Sequence, residues 1–171
     1  GSLYRSCWDG DSYYDQDGKQ QRDCIIELDG KHYGFNSNGL KYTDSMFWLD
    51  ENYYYANENG VLYQNSWLDY NDETYYFGED GVRYNNGSYE IDGKHYYFDY
   101  NGTLYKNTTF STYEKDSDGN EISVEYRAKE NGELYTGWCT PYGGSELYYY
   151  DEIGRGYNGL KAIDGKSYFF K

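Results

Sequence analysis

The most constraining feature of this sequence is a set of five glycines, each 21 residues after the one before: Gly18, Gly39, Gly60, Gly81 and Gly102. Asp or Asn precedes every one of them, and Tyr stands three residues after each of the last four. A fixed period of this length is typical of repeat proteins. A unit this short cannot bury a core of its own, so we expect each unit to pack against its neighbours.

Each unit has the pattern of two short strands and tight turns. Around Gly102, Asp92-Gly93 predicts a first turn, and the aromatic strand 95–98 follows it. Asn101-Gly102 supplies the positive φ of a hairpin turn and predicts a return into a partner strand, 103–105. The chain has one proline and shows no convincing helical periodicity. The sequence therefore predicts an all-β fold built from stacked β-hairpins.

The domain organisation predicted from the period is one repeat array over residues 1–171. Regular 21-residue repeats run to about residue 107, and the next equivalent glycines are Gly132 and Gly154. Residues 108–131 predict a longer hairpin insertion, and further repeats occupy 132–171. Insertions in a solenoid often mark a binding face, and they are also tolerated as plain surface loops. Both interpretations stay open for this insertion.

Charge and composition exclude some partners. The formal net charge is −15, from 30 acidic and 15 basic residues, and 27 residues are tyrosine. Nucleic acids and anionic membranes require clustered Lys and Arg, so neither is an expected partner. The sequence contains no run of 18 apolar residues, so membrane insertion is not expected. Neutral sugars and cationic groups are compatible with an acidic, tyrosine-rich surface.

The segments 91–102 and 163–170 and the pair Gly137-Trp138 resemble the cell-wall-binding, or choline-binding-type, repeats of Gram-positive surface proteins. That superfamily includes glucan-binding repeats and the C-terminal repeats of large clostridial toxins. The likeness covers nearly the whole chain. It implies a β-solenoid of stacked hairpins and non-catalytic attachment to choline-decorated teichoic acid, glucans or host glycans. It also implies an extracellular location, either secreted or associated with the cell wall.

The sequence departs from the choline-binding pattern at the aromatic positions. The tryptophan of the family's Gly-Trp pair is matched by Trp138, and by Trp67 without its glycine. The downstream tryptophan is replaced by Tyr75 and by Tyr148. A complete set of choline cages is therefore not expected.

Two aromatic groups are the candidate ligand-binding residues: Trp67 with Tyr75 and Tyr76, and Trp138 with Tyr148 and Tyr149. Such rings hold a quaternary ammonium by cation–π attraction or provide a flat platform under a sugar. Alternatively, they only fill the hairpin stack. We expect a carbohydrate-binding or cell-wall-glycan-binding module. A choline-binding wall anchor and a structural spacer or protein-binding adhesin surface are the alternatives.

Catalysis by this chain is not expected, and neither is a cofactor. His32 and His95 occupy the same repeat position, which indicates a structural role rather than a unique catalytic base. A catalytic domain elsewhere in a longer parent chain is compatible with this prediction.

Two minor hypotheses concern crosslinks and metals. Cys7 and Cys24 flank the first repeat turn, so they form either a cross-strand disulfide or two reduced thiols, with Cys139 left over. Asp116, Asp118 and Asn120 resemble the beginning of a calcium loop. The remaining ligands of such a loop do not follow, which makes calcium a weak candidate.

Overall fold

The computed structural model describes residues 5–157 and 159–170, and within them the chain is a series of short β-strands. The strands are β1 Cys7–Asp9, β2 Ser12–Tyr14, β3 Cys24–Leu28, β4 Lys31–Phe35, β5 Ser45–Leu49, β6 Asn52–Ala56, β7 Ser66–Tyr70, β8 Glu73–Phe77, β9 Gly87–Ile91, β10 Lys94–Phe98, β11 Thr108–Lys115, β12 Glu121–Ala128, β13 Gly137–Cys139, β14 Tyr148–Tyr150, β15 Gly159–Ile163 and β16 Lys166–Phe170. A 3₁₀ turn spans Pro141–Gly143. The all-β prediction is confirmed. No described helix is long and apolar enough for a membrane span.

Successive strands form antiparallel hairpins, and each sheet among the described residues has two strands. In the hairpin β9–β10, Gly87 lies opposite Phe98. The tip residues Asp92 and Gly93 have φ angles of 51° and 73°. Positive φ at both positions is what a two-residue type I′ turn requires, and Asp-Gly adopts it readily. Asp29-Gly30 and Asp164-Gly165 have the same positive φ angles at the tips of their own hairpins.

The repeat glycines form a second turn, which follows each hairpin. Gly39 has a φ of 76°, and its N–H donates to the carbonyl of Asn36 at 2.8 Å. The Asn36 side chain accepts hydrogen bonds from the N–H groups of Asn38 and Leu40. This is the local Asx bonding that makes Asp and Asn favourable in turns.

The main partner of each aromatic strand precedes it in the sequence. β10 pairs along its full length with β9. The predicted partner, residues 103–105, pairs with β10 only through an isolated bridge between Phe98 and Leu104. The predicted pairing is therefore wrong in extent. The two-residue turn at Asp92-Gly93 keeps the flanking strands in register, whereas the longer turn at Gly102 leads the chain away after one bridge.

One position in five of the repeats connects neighbouring hairpins of the same unit. This linking residue stands two positions after the repeat glycine, and its N–H donates to a carbonyl of the hairpin that precedes its own. The N–H of Leu62, for example, bonds to the carbonyl of His32 at 2.9 Å. Equivalent bonds join Lys41 to Asp11, Arg83 to Tyr53, Leu134 to His95 and Gly156 to Glu125. Successive repeats are thus connected through a turn rather than through a continuous sheet.

The chain divides into two compact units, unit 1 at Gly1–Tyr84 and unit 2 at Asn85–Lys171. A recurring core position is the last residue of the second strand in a hairpin. Six hairpins have a buried residue at this position: Phe35, Ala56, Phe77, Phe98, Ala128 and Tyr150. In unit 1, Phe47, Tyr54 and Leu62 pack around Ala56. Because Leu62 belongs to the turn and Phe47 to a strand, this core cluster depends on the turn packing against the hairpins.

Candidate functional site

Each of the four tryptophans packs edge-to-face against the tyrosine opposite it in the same hairpin. The pairs are Trp8–Tyr13, Trp48–Tyr53, Trp67–Tyr76 and Trp138–Tyr149, with ring centroids 5.3, 4.7, 4.9 and 5.1 Å apart. Cross-strand neighbours on one face of a hairpin are close enough for such contacts. An edge-to-face pair contributes about 0.5–1.5 kcal/mol beyond its buried area. Part of each tryptophan's role is therefore structural.

The structure divides each of the two predicted aromatic groups between the two faces of its hairpin. Trp67 lies beside Tyr76, whereas Tyr75 is paired with Leu68. Likewise Trp138 lies beside Tyr149, whereas Tyr148 is opposite Cys139. Successive side chains of a strand point to opposite faces of the sheet. Tyr75 and Tyr148 therefore belong to different clusters from the tryptophans with which they were grouped.

The Trp138 cluster consists of Trp138, Tyr149, Tyr168 and Phe170. The Trp138 ring centroid lies 5.1 Å from Tyr149, 4.8 Å from Tyr168 and 5.9 Å from Phe170. Tyr168 and Phe170 lie in β16, the second strand of the hairpin that follows Trp138 in the chain. Trp138 is 37% exposed. The cluster thus offers an open indole ring supported by aromatic side chains of two hairpins.

The Trp8 cluster in unit 1 has the same arrangement of ring types. Trp8 lies 5.3 Å from Tyr13, 5.1 Å from Tyr33 and 5.8 Å from Phe35. Here the linking residue Lys41 places its Nζ 5.3 Å from the centroid of the indole. The protein therefore holds an ammonium group of its own on a tryptophan in this setting. Among the described residues, no Lys or Arg lies over the ring of Trp138.

Lys41 is also held by oxygen atoms around the Trp8 cluster. Its Nζ lies 3.6 Å from the Asp11 carboxylate and donates to the carbonyl of Asn59 at 3.3 Å. An ammonium group over an indole gains cation–π attraction, and a carboxylate adds charge attraction. Carboxylate, carbonyl and aromatic face together form a chemical environment for a cation.

Gly156 leaves its linking position without a side chain, and two recesses of unit 2 border it. One has a volume of about 280 Å³. It is lined by Glu125, Glu146, Leu147, Tyr148, Tyr149, Tyr150, Gly156, Tyr157, Phe169 and Phe170. We call it the Gly156 recess. Because it shares Tyr149 and Phe170 with the Trp138 cluster, a small ligand on that cluster has space to extend into it.

A second recess, of about 500 Å³, lies along the longest described hairpin, β11–β12. It also borders Gly156 and Tyr157. Its walls combine the apolar side chains of Ile122 and Val124 with charged groups. The Arg155 guanidinium there is bonded to the Glu114 carboxylate at 2.6 Å. This recess has no aromatic cluster comparable to that of Trp138 among its lining residues.

Carboxylates at the Gly156 recess are fixed by tyrosine hydroxyls. Tyr148 donates to Glu146 at 2.6 Å, and Tyr150 donates to Glu125 at 3.1 Å. Burial, reinforced by the nearby Glu125 charge, raises the pKa of Tyr150 above its ordinary range. The hydroxyl therefore remains a hydrogen-bond donor at neutral pH. Arg127 is ion-paired with Glu125 at 3.3 Å and lies over the Tyr148 ring, so Glu146 is the lining carboxylate that has no ion pair among the described residues.

The cysteines are free thiols in the structure. Cys7 lies opposite Tyr14 in one hairpin, and Cys24 lies opposite Phe35 in the next. The proposed cross-strand Cys7–Cys24 disulfide is therefore wrong in register. Burial raises the pKa of the Cys24 thiol. The structure contains no Cys7–Cys24 disulfide, and the oxidation state of this pair stays a prediction.

The candidate calcium residues form an ordinary repeat turn. The Asp116 carboxylate accepts hydrogen bonds from the N–H groups of Asp118 and Asn120. The bond from the Asn120 N–H, which has the largest effect, and the bond from the Asp118 N–H lower the pKa of the Asp116 carboxyl. The uncharged side chain of Asn36 accepts the same pair of bonds in its own turn. The turn thus explains Asp116 without a cation, and no metal-binding group of three His, Cys, Asp or Glu occurs among the described residues.

Sequence reasoning missed the linking residues and the contribution of β16. Lys41, Arg83 and Gly156 stand where other repeats have leucine, namely Leu62, Leu104 and Leu134. That interruption of a repeated leucine was visible in the sequence and was a usable signal. The contacts of Tyr168 and Phe170 with Trp138 required the packing of one hairpin on another.

Comparisons with known proteins found solved structures with a similar fold. No protein-family model and no curated protein matches the chain. Among solved structures, CbpJ from Streptococcus pneumoniae TIGR4 matches with a TM-score of 0.68 at 19% identity, over 92% of this chain and 53% of its own. Choline binding protein F from the same species gives 0.65 at 22% identity, over 92% and 52%. The choline-binding domain of CbpL gives 0.59 at 21% identity, over 96% and 82%.

These likenesses confirm the resemblance to choline-binding-type repeats at the level of the fold. This chain spans about half the length of CbpJ and of choline binding protein F.

Proposed function

We propose that this chain is a non-catalytic module that attaches an extracellular bacterial protein to the cell wall. In this proposal the trimethylammonium group of choline rests on the Trp138 cluster. The stacking of the repeats as a β-solenoid, predicted from the sequence, is part of the same proposal.

The observation that carries the proposal is the equivalence of the Trp138 and Trp8 clusters. Both combine a tryptophan with its cross-strand tyrosine and with a tyrosine and a phenylalanine of the next hairpin. The Trp8 cluster carries the ammonium group of Lys41. Cation–π attraction acts on any alkylammonium, so the same set of rings with an open indole is suited to an external one. Trp138 is therefore our candidate for an external cation.

Charge around the Trp138 cluster favours the same class of ligand. Glu125 and Glu146 line the adjoining Gly156 recess, and the chain has a formal net charge of −15. A negative field raises the local concentration of cations and speeds their association. Choline carries a permanent positive charge and no acidic proton, so its attraction to these rings does not depend on pH.

The similar structures support this class of ligand by their own ligands. The CbpL domain and choline binding protein F are choline-binding by name. Choline binding protein F has been crystallised in the presence of a peptidoglycan analogue and in complex with ipratropium. Its identity to this chain is low, so the proposal rests on the aromatic geometry rather than on descent.

The test is calorimetric titration of the chain with choline chloride. Each ring contributes about 0.5–2 kcal/mol of cation–π attraction, which for contact with three of the four rings predicts a dissociation constant in roughly the millimolar range. Trp138→Ala should weaken binding at least about tenfold, since the indole is the strongest of the rings.

Trp8→Ala is the matched control, because Lys41 already occupies that indole. It should leave choline binding unchanged, and circular dichroism should show that both variants keep the wild-type fold. Unchanged affinity in a folded Trp138→Ala chain would overturn the proposed site.

A neutral glycan is the second candidate, favoured by Trp48. This indole has 55% of its surface exposed, the largest exposure among the tryptophans, and it packs edge-to-face on Tyr53. A flat exposed indole beside a polar hairpin tip suits the C–H face of a sugar. Titration with soluble α- and β-glucans, followed by Trp48→Ala, tests this candidate. A flat response to choline and to glucans would instead favour the spacer or protein-binding alternatives.

A further inference from the structure

Arg83 occupies an aromatic cleft in unit 1 that has the chemistry of a cation site. Its guanidinium carbon lies 4.2 Å from the ring centroid of Tyr53 and 5.5 Å from that of Tyr75. Its Nη1 lies 3.1 Å from the sulfur of Met46. Arg83 is only 8% exposed. We call this site the Arg83 cleft.

The side chain is directed into the cleft by the backbone. Arg83 is a linking residue, and its N–H donates to the carbonyl of Tyr53 at 2.9 Å. This bond fixes the start of the side chain directly beside the ring that the guanidinium covers. The position of the cation is therefore a consequence of the repeat turn.

A charged group this deeply buried needs compensating partners, because removing a charge from water is costly. Two tyrosine faces provide cation–π attraction, which is larger in a desolvated site than at the surface. A methionine sulfur is polarisable and adapts to the shape of its neighbour. These are the features that an external organic cation would need, and here the chain's own side chain uses them.

We propose that Arg83 is the specificity-determining residue of this cleft: it is a built-in occupant that excludes small quaternary ammonium ions from the cleft. The cleft is competent to hold such an ion, and the linking residue decides whether it does. Leu62 fills the equivalent position with a buried aliphatic side chain, whereas Gly156 leaves it empty beside a recess.

The proposal does not require choline to be the ligand of the Trp138 cluster. Its test therefore uses the full chain with Trp138→Ala, so that a failure of the Trp138 site does not affect the result. Tetramethylammonium chloride is the probe. Arg83→Ala should gain one binding site of roughly millimolar affinity, at least about tenfold tighter than the same background with Arg83 intact.

Two matched variants identify the gained site. Arg83→Leu, which introduces the side chain of Leu62 and Leu134, should fill the cleft and bind no additional ion. Adding Tyr53→Ala to Arg83→Ala should remove the gained site. A folded Arg83→Ala chain without a new site, or an Arg83→Leu chain that binds equally well, would overturn the proposal.

A measurement on the unmutated chain covers the case in which Arg83→Ala does not fold. Arg83 side-chain protons packed on tyrosine faces should be shifted upfield in the NMR spectrum by the ring currents, and Tyr53→Leu should return them toward ordinary values. Ordinary shifts in the unmutated chain would overturn the proposal, because they would place the guanidinium away from the rings. Upfield shifts that Tyr53→Leu abolishes would support it.

Discussion

The Arg83 cleft and the Gly156 recess occupy equivalent places in the repeat and have opposite character. In each, the linking residue donates its N–H to the preceding hairpin, to Tyr53 in one case and to Glu125 in the other. Arg83 fills the first with a guanidinium on aromatic rings. Gly156 has no side chain, and the second remains a recess of about 280 Å³.

In our proposal, one side chain per repeat controls access to the aromatic rings. The backbone, the turn and the linking hydrogen bond are common to the two regions. Leucine at the same position, as in Leu134, contributes to the core instead. The repeat therefore has three states, filled by an aliphatic side chain, filled by a cation, or open. Binding capacity can change between repeats without a change of fold.

The largest expected effect comes from the core beneath the Arg83 cleft. Phe77 is fully buried and lies 6.4 Å from the ring of Tyr55. Phe77→Ala should destabilise the chain by about 3–5 kcal/mol through lost burial and a cavity. Urea unfolding followed by circular dichroism measures this loss.

The matched change beneath the Gly156 recess is Tyr150→Phe. It keeps the buried ring and removes one hydrogen bond to Glu125, which predicts a loss of only about 0.5–1.5 kcal/mol. Equal losses at the two positions would contradict the view that the buried ring, rather than its polar contacts, supports each cleft.

An intermediate effect is expected from Gly156→Leu, which makes the open region resemble its leucine-containing equivalents. A Cβ at Gly156 would lie 3.1 Å from the Glu125 carbonyl and 3.2 Å from the Tyr150 ring, so small adjustments suffice. The side chain should fill the recess and weaken choline binding at least about tenfold, equivalent to about 1.4 kcal/mol. Calorimetry provides the measurement.

Gly144→Ala, in the same unit but outside the Gly156 recess, is the control and should bind choline like the wild type. Undiminished affinity in Gly156→Leu would show that choline bound to the Trp138 cluster does not use the recess.

The smallest effect depends on pH and comes from a third repeat. Glu133 precedes the linking residue Leu134, whereas Val82 precedes Arg83 and Arg155 precedes Gly156. Glu133 is paired with Lys129 and lies 3.1 Å from Lys94. The hydrogen bond from Lys129, followed by that from Lys94, lowers the pKa of Glu133 below its ordinary value of 4.5.

A lowered folded-state pKa stabilises the fold above the unfolded-state value, and this stabilisation is lost as pH falls through the folded-state value. Glu133→Gln should therefore flatten the pH dependence of stability below pH 4.5, by less than about 1 kcal/mol. Denaturant unfolding at a series of acidic pH values measures it, with the exposed Glu130→Gln as control. An unchanged acid profile would mean that the ion pairs of Glu133 do not contribute.

Much of the fold could be predicted from local sequence. Gly39 and its equivalents adopt the positive φ that the pattern indicated, and β-hairpins account for the aromatic strands. The predicted association of Trp138 with Tyr149 is present in the structure, because cross-strand partners follow from the register of a short hairpin. Whether these residues bind a ligand stays a prediction.

Other assignments failed where two turns competed for one strand or where a contact came from another repeat. The aromatic strand β10 pairs with β9 rather than with residues 103–105. Tyr148 faces Arg127, whose guanidinium carbon lies 3.8 Å from its ring centroid, instead of sharing a face with Trp138. Sequence spacing alone did not identify these neighbours.

The sequence by itself determined the repeat, the hairpin tips and the acidic, aromatic character of the surface, because these depend on the φ preferences and side-chain chemistry of nearby residues. Tertiary structure decided which clefts are open. The contacts of Lys41, Arg83 and Gly156 are made with a preceding hairpin, so their effect depends on packing between repeats. An identical turn can thus bury leucine, hold a cation or leave a recess.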